Sequence, residues 1–369
     1  MTTIRSIELR LVGLPLVTPF RTSFGEMTHK ECILARVETD DAVGWGECVA
    51  GDEPDFSEEW NAGAWLVLRD LLAPALVGRD VRIEDVERRL AFVRGHPMAK
   101  ATLVNAVIDA VLRAEGASLG SYVGGVRERV ACGVSIGIAS STERLLEQVA
   151  GYLEQGYRRI KLKIEPGTDV ERVRAVRDAH ADILLSVDAN AAYSLEDLAT
   201  FEALDDLALL MIEQPLHHED LVRHAELQRL VSTDLCLDES IRSAAHASAA
   251  LELGACRIVN IKQGRVGGIL EARRVHDVAA ASGAPVWCGG MLETGIGRAT
   301  NLALAAMPNF TLPGDTSASR RYFAEDLTDP FELAPDGTMA VPSGAGIGVD
   351  PDPVRLQECT VRRDLVEKE

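Results

Sequence analysis

The sequence predicts an α/β protein: a parallel (β/α) barrel with an α+β capping domain formed by the N-terminal region and the C-terminal tail. Two observations predict it. Residues 4–48 read as short β-like runs and residues 58–117 as helices, an order of strands followed by helices that suits an α+β unit. After residue 158, apolar runs that end on a polar or aromatic residue recur, marked by Lys163, Asp188, Glu213, Asp238, Lys262 and Trp287 at intervals of 25, 25, 25, 24 and 25 residues. A strand, a loop, a helix and a return loop fill about that length, so the spacing marks tandem βα units. Parallel strands need both faces covered, and closure into a barrel does this.

The elements follow in order. IRSIELRLVGL, ECILARVET and GWGEC are separated by Pro15, Pro19, Gly25 and the Asp40–Asp41 pair, and predict an antiparallel meander. Apolar residues at three- and four-residue spacing predict helices over 58–77, 82–94 and 98–117. The Gly-rich stretch 120–125 ends a capping domain at 1–125. GVSIGI, RRIKLKI, ILLSVDAN, LALLMIEQP, LCLDES, CRIVNIK, APVWCGG and NFTL then supply about eight TIM-like barrel strands within 126–324. The tail, 325–369, holds short β-like pieces and is expected to pack back on the capping domain.

Composition narrows the function. The 369 residues are 47% hydrophobic, enough for two cores, and the formal net charge is −19. With no basic run, nucleic acid is not an expected partner, and the acidity reads as a solvated surface. The seven cysteines, Cys32, Cys48, Cys132, Cys236, Cys256, Cys288 and Cys359, are scattered and form no CxxC. They read as reduced thiols in a cytoplasm, neither a disulfide framework nor a zinc site. MTTIRSIELR lacks an apolar leader core, and no apolar run is long enough for a membrane helix, so no membrane association is expected.

Only six of the 38 basic residues are lysine: Lys30, Lys100, Lys161, Lys163, Lys262 and Lys368. Where arginine is the ordinary surface cation, a lysine in an apolar run asks for a reason, because lysine can lose its proton when desolvated and arginine does not. In RRIKLKI the side chains alternate, so Lys161 and Lys163 share the face opposite Ile160, Leu162 and Ile164 and point at the barrel axis. Two like charges so close predict that at least one has a lowered pKa, as a general base needs. Asp188, Glu213 and Asp238 end three consecutive strands. One acid at a strand end is commonly a helix cap or loop charge; three in register, flanked by lysines in register, predict a shared site. Strands lie about 4.8 Å apart, so the carboxylates would repel unless a cation joins them. Three oxygen donors suit Mg²⁺, with Mn²⁺ as a substitute, better than zinc. A metal on a substrate carboxylate stabilises the charge left when the α-proton departs. Lysines on both faces then allow racemisation, and one lysine aiding loss of a β-hydroxyl allows dehydration.

These residues resemble a known family. KLK at 161–163, VDAN at 187–190, IEQPL at 212–216, LDES at 237–240, NIKQGRVGG at 260–268 and CGGMLETGIG at 288–297 resemble the muconate-lactonizing-enzyme subgroup of the enolase superfamily. PFRTSFG at 19–25, GWGEC, GVSIG and NFTLPGDTSAS extend the resemblance over nearly the whole chain, towards the branch of o-succinylbenzoate synthases and N-succinylamino acid (N-acylamino acid) racemases. Pairing a lysine base with Mg²⁺ is a general feature of enolase-superfamily sites. The resemblance implies a (β/α)7β barrel and a cytoplasmic, homo-oligomeric enzyme acting on a small carboxylate. Its reaction would be dehydration of 2-succinyl-6-hydroxy-2,4-cyclohexadiene-1-carboxylate in menaquinone synthesis, racemisation of N-succinylamino acids, or both; dipeptide epimerisation and muconate cycloisomerisation are the alternatives within the superfamily. It implies Asp188, Glu213 and Asp238 as metal ligands, Lys163 and Lys262 as the acid/bases, and Lys161 as the helper that lowers the pKa of Lys163 and meets the substrate carboxylate. Asn190 and Glu239 would orient them, Ser135, Gly290, Met291 and Leu292 would rim the substrate, and Phe20 would lie in the covering loop.

Two positions depart from that pattern, and a third bears on Lys262. Gln263 replaces a frequent proline and predicts a looser backbone at Lys262. Phe56 replaces a frequent tyrosine, which bears on acyl selectivity. Arg265 reads either as a modulator of the Lys262 pKa or as a surface charge. Two readings from other classes remain: GVSIG matches the G-x-S-x-G elbow of a serine hydrolase with Ser135 as nucleophile, and the acids could form a non-catalytic metal scaffold. His217–His218 reads as loop, and no G-x-G-x-x-G marks a dinucleotide site.

Overall fold

The computed structural model describes residues 2–22 and 25–368, so Ser23 and Phe24 of the PFRTSFG run lie outside the described residues. The meander forms as Thr2–Thr22, Gly25–Thr39 and Val43–Cys48, paired antiparallel in sequence order. The tail returns to it: Thr360–Glu367 runs antiparallel to the first strand, from Ser6 opposite Glu367 to Val12 opposite Thr360. Both ends of the chain thus share one sheet.

The helices of this region are shorter than their apolar patterns. Asn61–Val67 runs into a π-helical turn, Leu68–Leu72, and is followed by Ile83–Leu90 and Pro97–Glu115. The long helix starts with Pro97 at its first turn, where no N–H is needed, and ends on a left-handed Gly116. It packs directly on Val43–Cys48. A Cβ on Gly44 would run into the backbone of Ala106 and Ala110, and one on Gly46 into that of Thr102 and Ala106. Glycine is required there for close approach of the two backbones.

Seven parallel strands, Gly133–Ile136, Arg159–Lys163, Leu184–Asp188, Ile212–Glu213, Leu235–Leu237, Ile258–Ile261 and Val286–Cys288, pair in sequence order. Helices connect them, so the 25-residue steps are βα units as expected. The eighth strand expected at NFTL does not form. Two isolated parallel bridges, Val286 with Phe310 and Cys132 with Gly314, join the last strand to the first instead. Pro313, just before Gly314, has no N–H to give a ladder. Inside the barrel Met211, Cys236, Ile258 and Trp287 form a separate apolar floor; Trp287 lies within its strand rather than ending it. Outside, Ile160, Leu162 and Ile164 are buried as the alternation requires. All seven cysteines are free and buried. Among the described residues no helix is long and apolar enough to cross a membrane.

Candidate active site

The predicted residues meet at the carboxyl ends of the barrel strands, the end at which barrel enzymes assemble their sites. Strand register sets them side by side: Lys163 is opposite Asp188, and Asp188 is opposite Glu213. Asp238 directly follows the fifth strand and Lys262 the sixth. The three acids therefore stand on three successive strands, with Lys163 on one flank and Lys262 on the other. All three are buried, with relative exposures of 1%, 0% and 0%.

The lysines reach into the acids. Lys163 Nζ donates to Asp188 Oδ2 at 2.7 Å and to Asn190 Oδ1 at 2.6 Å. Asn190 Nδ2 passes the chain on to Glu239 Oε1 at 2.9 Å, so Asn190 and Glu239 do form one hydrogen-bonded line behind Lys163. On the opposite flank Lys262 Nζ lies 2.8 Å from Asp238 Oδ2. Lys161 shares Asp188 Oδ2 at 3.1 Å and meets Glu213 Oε2 at 2.8 Å.

At Lys161 the like-charge repulsion that predicts at least one lowered lysine is outweighed by the carboxylates around it. Burial pulls the Lys161 ammonium down, but Asp315, Glu213 and Asp188 together hold it well above the usual lysine range. Burial raises Asp188, yet Lys163 and Lys161 outweigh it and keep that carboxyl well below the usual range. Burial and the Asp188 charge raise Glu213, and the same two causes raise Glu239.

Two further positions are decided by the structure. Of the two readings of Arg265, the surface charge is excluded: the side chain is buried, donates to Asp238 Oδ1, and also reaches the carbonyls of Ile241 (2.8 Å) and Asn260 (2.7 Å). Burial lowers its guanidinium to about 9, with the Glu213 charge opposing that shift. Gln263 does not loosen the backbone. Its Oε1 accepts from Asn105 Nδ2 at 2.6 Å, which ties the turn after Lys262 to the long capping helix.

The rim is assembled from several loops. Phe56 lays its ring 4.5 Å from Lys262 Nζ, a cation–π contact across the domain boundary. Phe20 is not on a covering loop as expected: it lies near the end of the first strand, paired with Met27, and is buried edge-on against Tyr322 at 6.1 Å. Gly290, Met291 and Leu292 follow the seventh strand half-buried, and Met291 N donates to Glu293 Oε2 at 2.9 Å. Non-glycine residues with positive φ gather on these strand-end loops: Asn190, Ala191, Gln214 and Leu292. Strain of this kind concentrates where a site holds side chains in fixed positions. A cavity of about 610 Å³ opens on the Lys262 flank, bounded by Phe56, Glu239 and Arg265 and by Met98 and Val104 of the capping helix.

Ser135 lies inside the first barrel strand, not on a strand-to-helix elbow, and its buried Oγ has no hydrogen-bond partner. Without a base it lacks the setting of a hydrolase nucleophile.

Sequence reasoning assigned no role to several residues that complete the site. Asn260 Nδ2 donates to Glu213 Oε1 at 2.7 Å. Gln214 Oε1 accepts from the N–H groups of Asp238 (3.0 Å) and Ser240 (3.2 Å), joining two strand-end loops. Asp315 Oδ2 lies 2.7 Å from Lys161 Nζ, while its Oδ1 accepts from the fully buried Arg159. The signal for Asn260 and Arg159 was present: each precedes a singled-out lysine by two residues, on the same face of its strand.

The carboxylates fit a hard dication by donor type. Among the described residues no three His, Cys, Asp or Glu side chains converge on a single point; the lysine ammonium groups stand between the acids. Two buried carboxylate oxygens nevertheless lack a hydrogen bond: Glu239 Oε2, and Asp238 Oδ2, which has Lys262 within ion-pair distance but not aligned to donate.

Comparison with known proteins agrees with this geometry. Residues 5–124 match the mandelate racemase / muconate lactonizing enzyme N-terminal domain, and residues 144–355 match the enolase C-terminal domain-like family. The chain is 56% identical to an N-succinylamino acid racemase of Amycolatopsis sp, over 97% of each chain. It is 47% identical to an o-succinylbenzoate synthase of Geobacillus kaustophilus, over 97% of this chain and 96% of the relative. A crystal structure of an enolase-superfamily member from Listeria innocua superimposes with a TM-score of 0.96 at 40% identity, covering all of both chains.

Proposed function

Because the chain belongs to the mandelate racemase / muconate lactonizing enzyme family of the enolase superfamily, we propose that it removes a proton α to a carboxylate with Mg²⁺, racemising N-succinylamino acids and dehydrating 2-succinyl-6-hydroxy-2,4-cyclohexadiene-1-carboxylate to o-succinylbenzoate. The observation that carries this is the placement of Lys163 and Lys262 on opposite flanks of Asp188, Glu213 and Asp238. High identity to relatives bearing each of the two names supports both activities in one site. The dehydration gives the enzyme a place in menaquinone synthesis.

Asp188, Glu213 and Asp238 would hold the cation. A bound Mg²⁺ supplies positive charge opposite the substrate carboxylate as it becomes electron-rich. Lys163 in its neutral form takes the α-proton from one face, and Lys262 in its charged form returns a proton to the other, so racemisation leaves the protein's total proton count unchanged. In dehydration one lysine takes the α-proton and hands it to the departing β-hydroxyl, which leaves as water, while the other lysine stabilises charge. Asn190, held by Glu239, fixes where Lys163 points. The Phe56 ring lies over Lys262 Nζ.

The test runs both substrates side by side with Mg²⁺ in D₂O. Deuterium entering at the α-carbon and formation of o-succinylbenzoate are expected. Exchange with neither substrate, together with turnover of a dipeptide or muconate, would overturn the branch assignment. Exchange at both faces by a Lys163→Ala variant would overturn the mechanism.

A further inference from the structure

We infer that Asp315 is a positioning residue that holds Lys161 in place beside the cation-binding carboxylates and stops it from competing for them. The inference rests on the proposed reading of Asp188 and Glu213 as metal-binding residues.

Lys161 Nζ has three N–H donors and three carboxylates around it: Asp315 Oδ2 at 2.7 Å, Glu213 Oε2 at 2.8 Å and Asp188 Oδ2 at 3.1 Å. The last two belong to the set that would hold the cation. Once they are committed to it, Asp315 is the carboxylate left to balance the Lys161 charge. Its own orientation is fixed from behind, because Arg159 donates to Oδ1 and thereby turns Oδ2 towards Lys161. The Trp287 ring lies against both cations, 4.5 Å from Arg159 Cζ and 4.8 Å from Lys161 Nζ, so neither ammonium nor guanidinium can drop into the apolar floor. Asp315 sits where the barrel closes: its N–H donates to Cys288 O at 2.8 Å, next to the Gly314–Cys132 bridge. The closing segment of the barrel thus sets the position of a charged group in the reaction centre.

Without the Asp315 charge, Lys161 has only Asp188 and Glu213 to pair with, and its ammonium becomes an internal competitor for the cation. Partners that stand behind metal ligands typically alter metal affinity by about 10- to 100-fold. The test measures Mg²⁺ affinity calorimetrically, with no substrate present, for the intact protein, Asp315→Asn, Asp315→Glu, Lys161→Met and the Lys161→Met/Asp315→Asn pair. The expected results are an affinity about 10-fold or more weaker in Asp315→Asn, recovery of most of it in Asp315→Glu, and little further effect of Asp315→Asn once Lys161 is methionine. Unchanged Mg²⁺ affinity in a folded Asp315→Asn variant would overturn the inference. So would an equal loss with and without Lys161, which would mean that Asp315 acts on the cation directly. If Asp315→Asn fails to fold because Arg159 loses its counter-ion, Arg159→Met/Asp315→Asn removes both charges and is compared in the same way, with and without Lys161→Met. Absence of Mg²⁺ binding by the unaltered protein would instead reject the reading of the acids themselves.

Discussion

Replacing Asn105 by leucine should disable one of the two proton-transfer faces more than the other. Asn105 is buried in the long capping helix, Pro97–Glu115, far from the acids in sequence. Its Nδ2 donates to Gln263 Oε1 at 2.6 Å, and its Oδ1 accepts from Ile269 N at 3.0 Å. Gln263 is the residue after Lys262, so this amide fixes the backbone that carries the second lysine. Leucine fills a similar volume but leaves a buried oxygen and a buried N–H without partners. Each costs about 1–3 kcal/mol, so a loss of about 2–6 kcal/mol in unfolding free energy is expected. A released turn lets Lys262 drift, and a misplacement of about 1 Å can cost about 100-fold in rate. Urea denaturation measures the first quantity. Exchange of each enantiomer of an N-succinylamino acid in D₂O measures the second, and the enantiomer whose α-proton faces Lys262 should slow more than the other. A stability within about 0.5 kcal/mol of the parent, or equal slowing of both enantiomers, would refute the coupling.

Three other predictions concern the frame and the cation. Gly46→Ala drives a methyl group into the Thr102 and Ala106 backbone, and should cost about 3 kcal/mol or more in urea denaturation; near-parental stability would disprove the close approach. Glu47 is buried, caps the helix Gly295–Ala305 through Thr294 and Gly297, and is pushed by burial up to about 7. A carboxyl raised in the folded state binds its proton more tightly there, so its contribution falls as pH rises between about 4.5 and 7, by about 3 kcal/mol at about 1.4 kcal/mol per pH unit. Glu47→Gln should flatten stability against pH across that window, and an unaltered slope would rule Glu47 out as its source. Removing divalent cations with EDTA should abolish α-proton exchange, and Mg²⁺ at about 100 times its Kd should add about 2.7 kcal/mol to unfolding free energy; indifference to both would exclude a cation at the three acids.

The sequence alone determined the barrel's repeat and the residues that end its strands. Both are local properties: a strand's alternation and a βα unit's length are written into about 25 consecutive residues. Lys163, Asp188, Glu213, Asp238 and Lys262 were legible for that reason, and the scarcity of lysine set two of them apart. Partnerships between distant segments were not legible. Asp315 meets Lys161 because the chain closes the barrel with two bridges rather than a strand; Asn105 meets Gln263 and Phe56 meets Lys262 because one domain folds down on the other. Spacing along a chain carries no record of such contacts. The same limit explains why charge states were not legible. Two lysines two residues apart predict mutual repulsion and at least one lowered pKa, but the three carboxylates around Lys161 raise its own. Arg265 reads from sequence as either a modulator of Lys262 or a surface charge, and only the tertiary structure buries it against Asp238. Local pattern chose which side chains face the barrel axis; only the folded chain decided which opposite charges they meet there, because an ionisable group's state depends on everything packed around it.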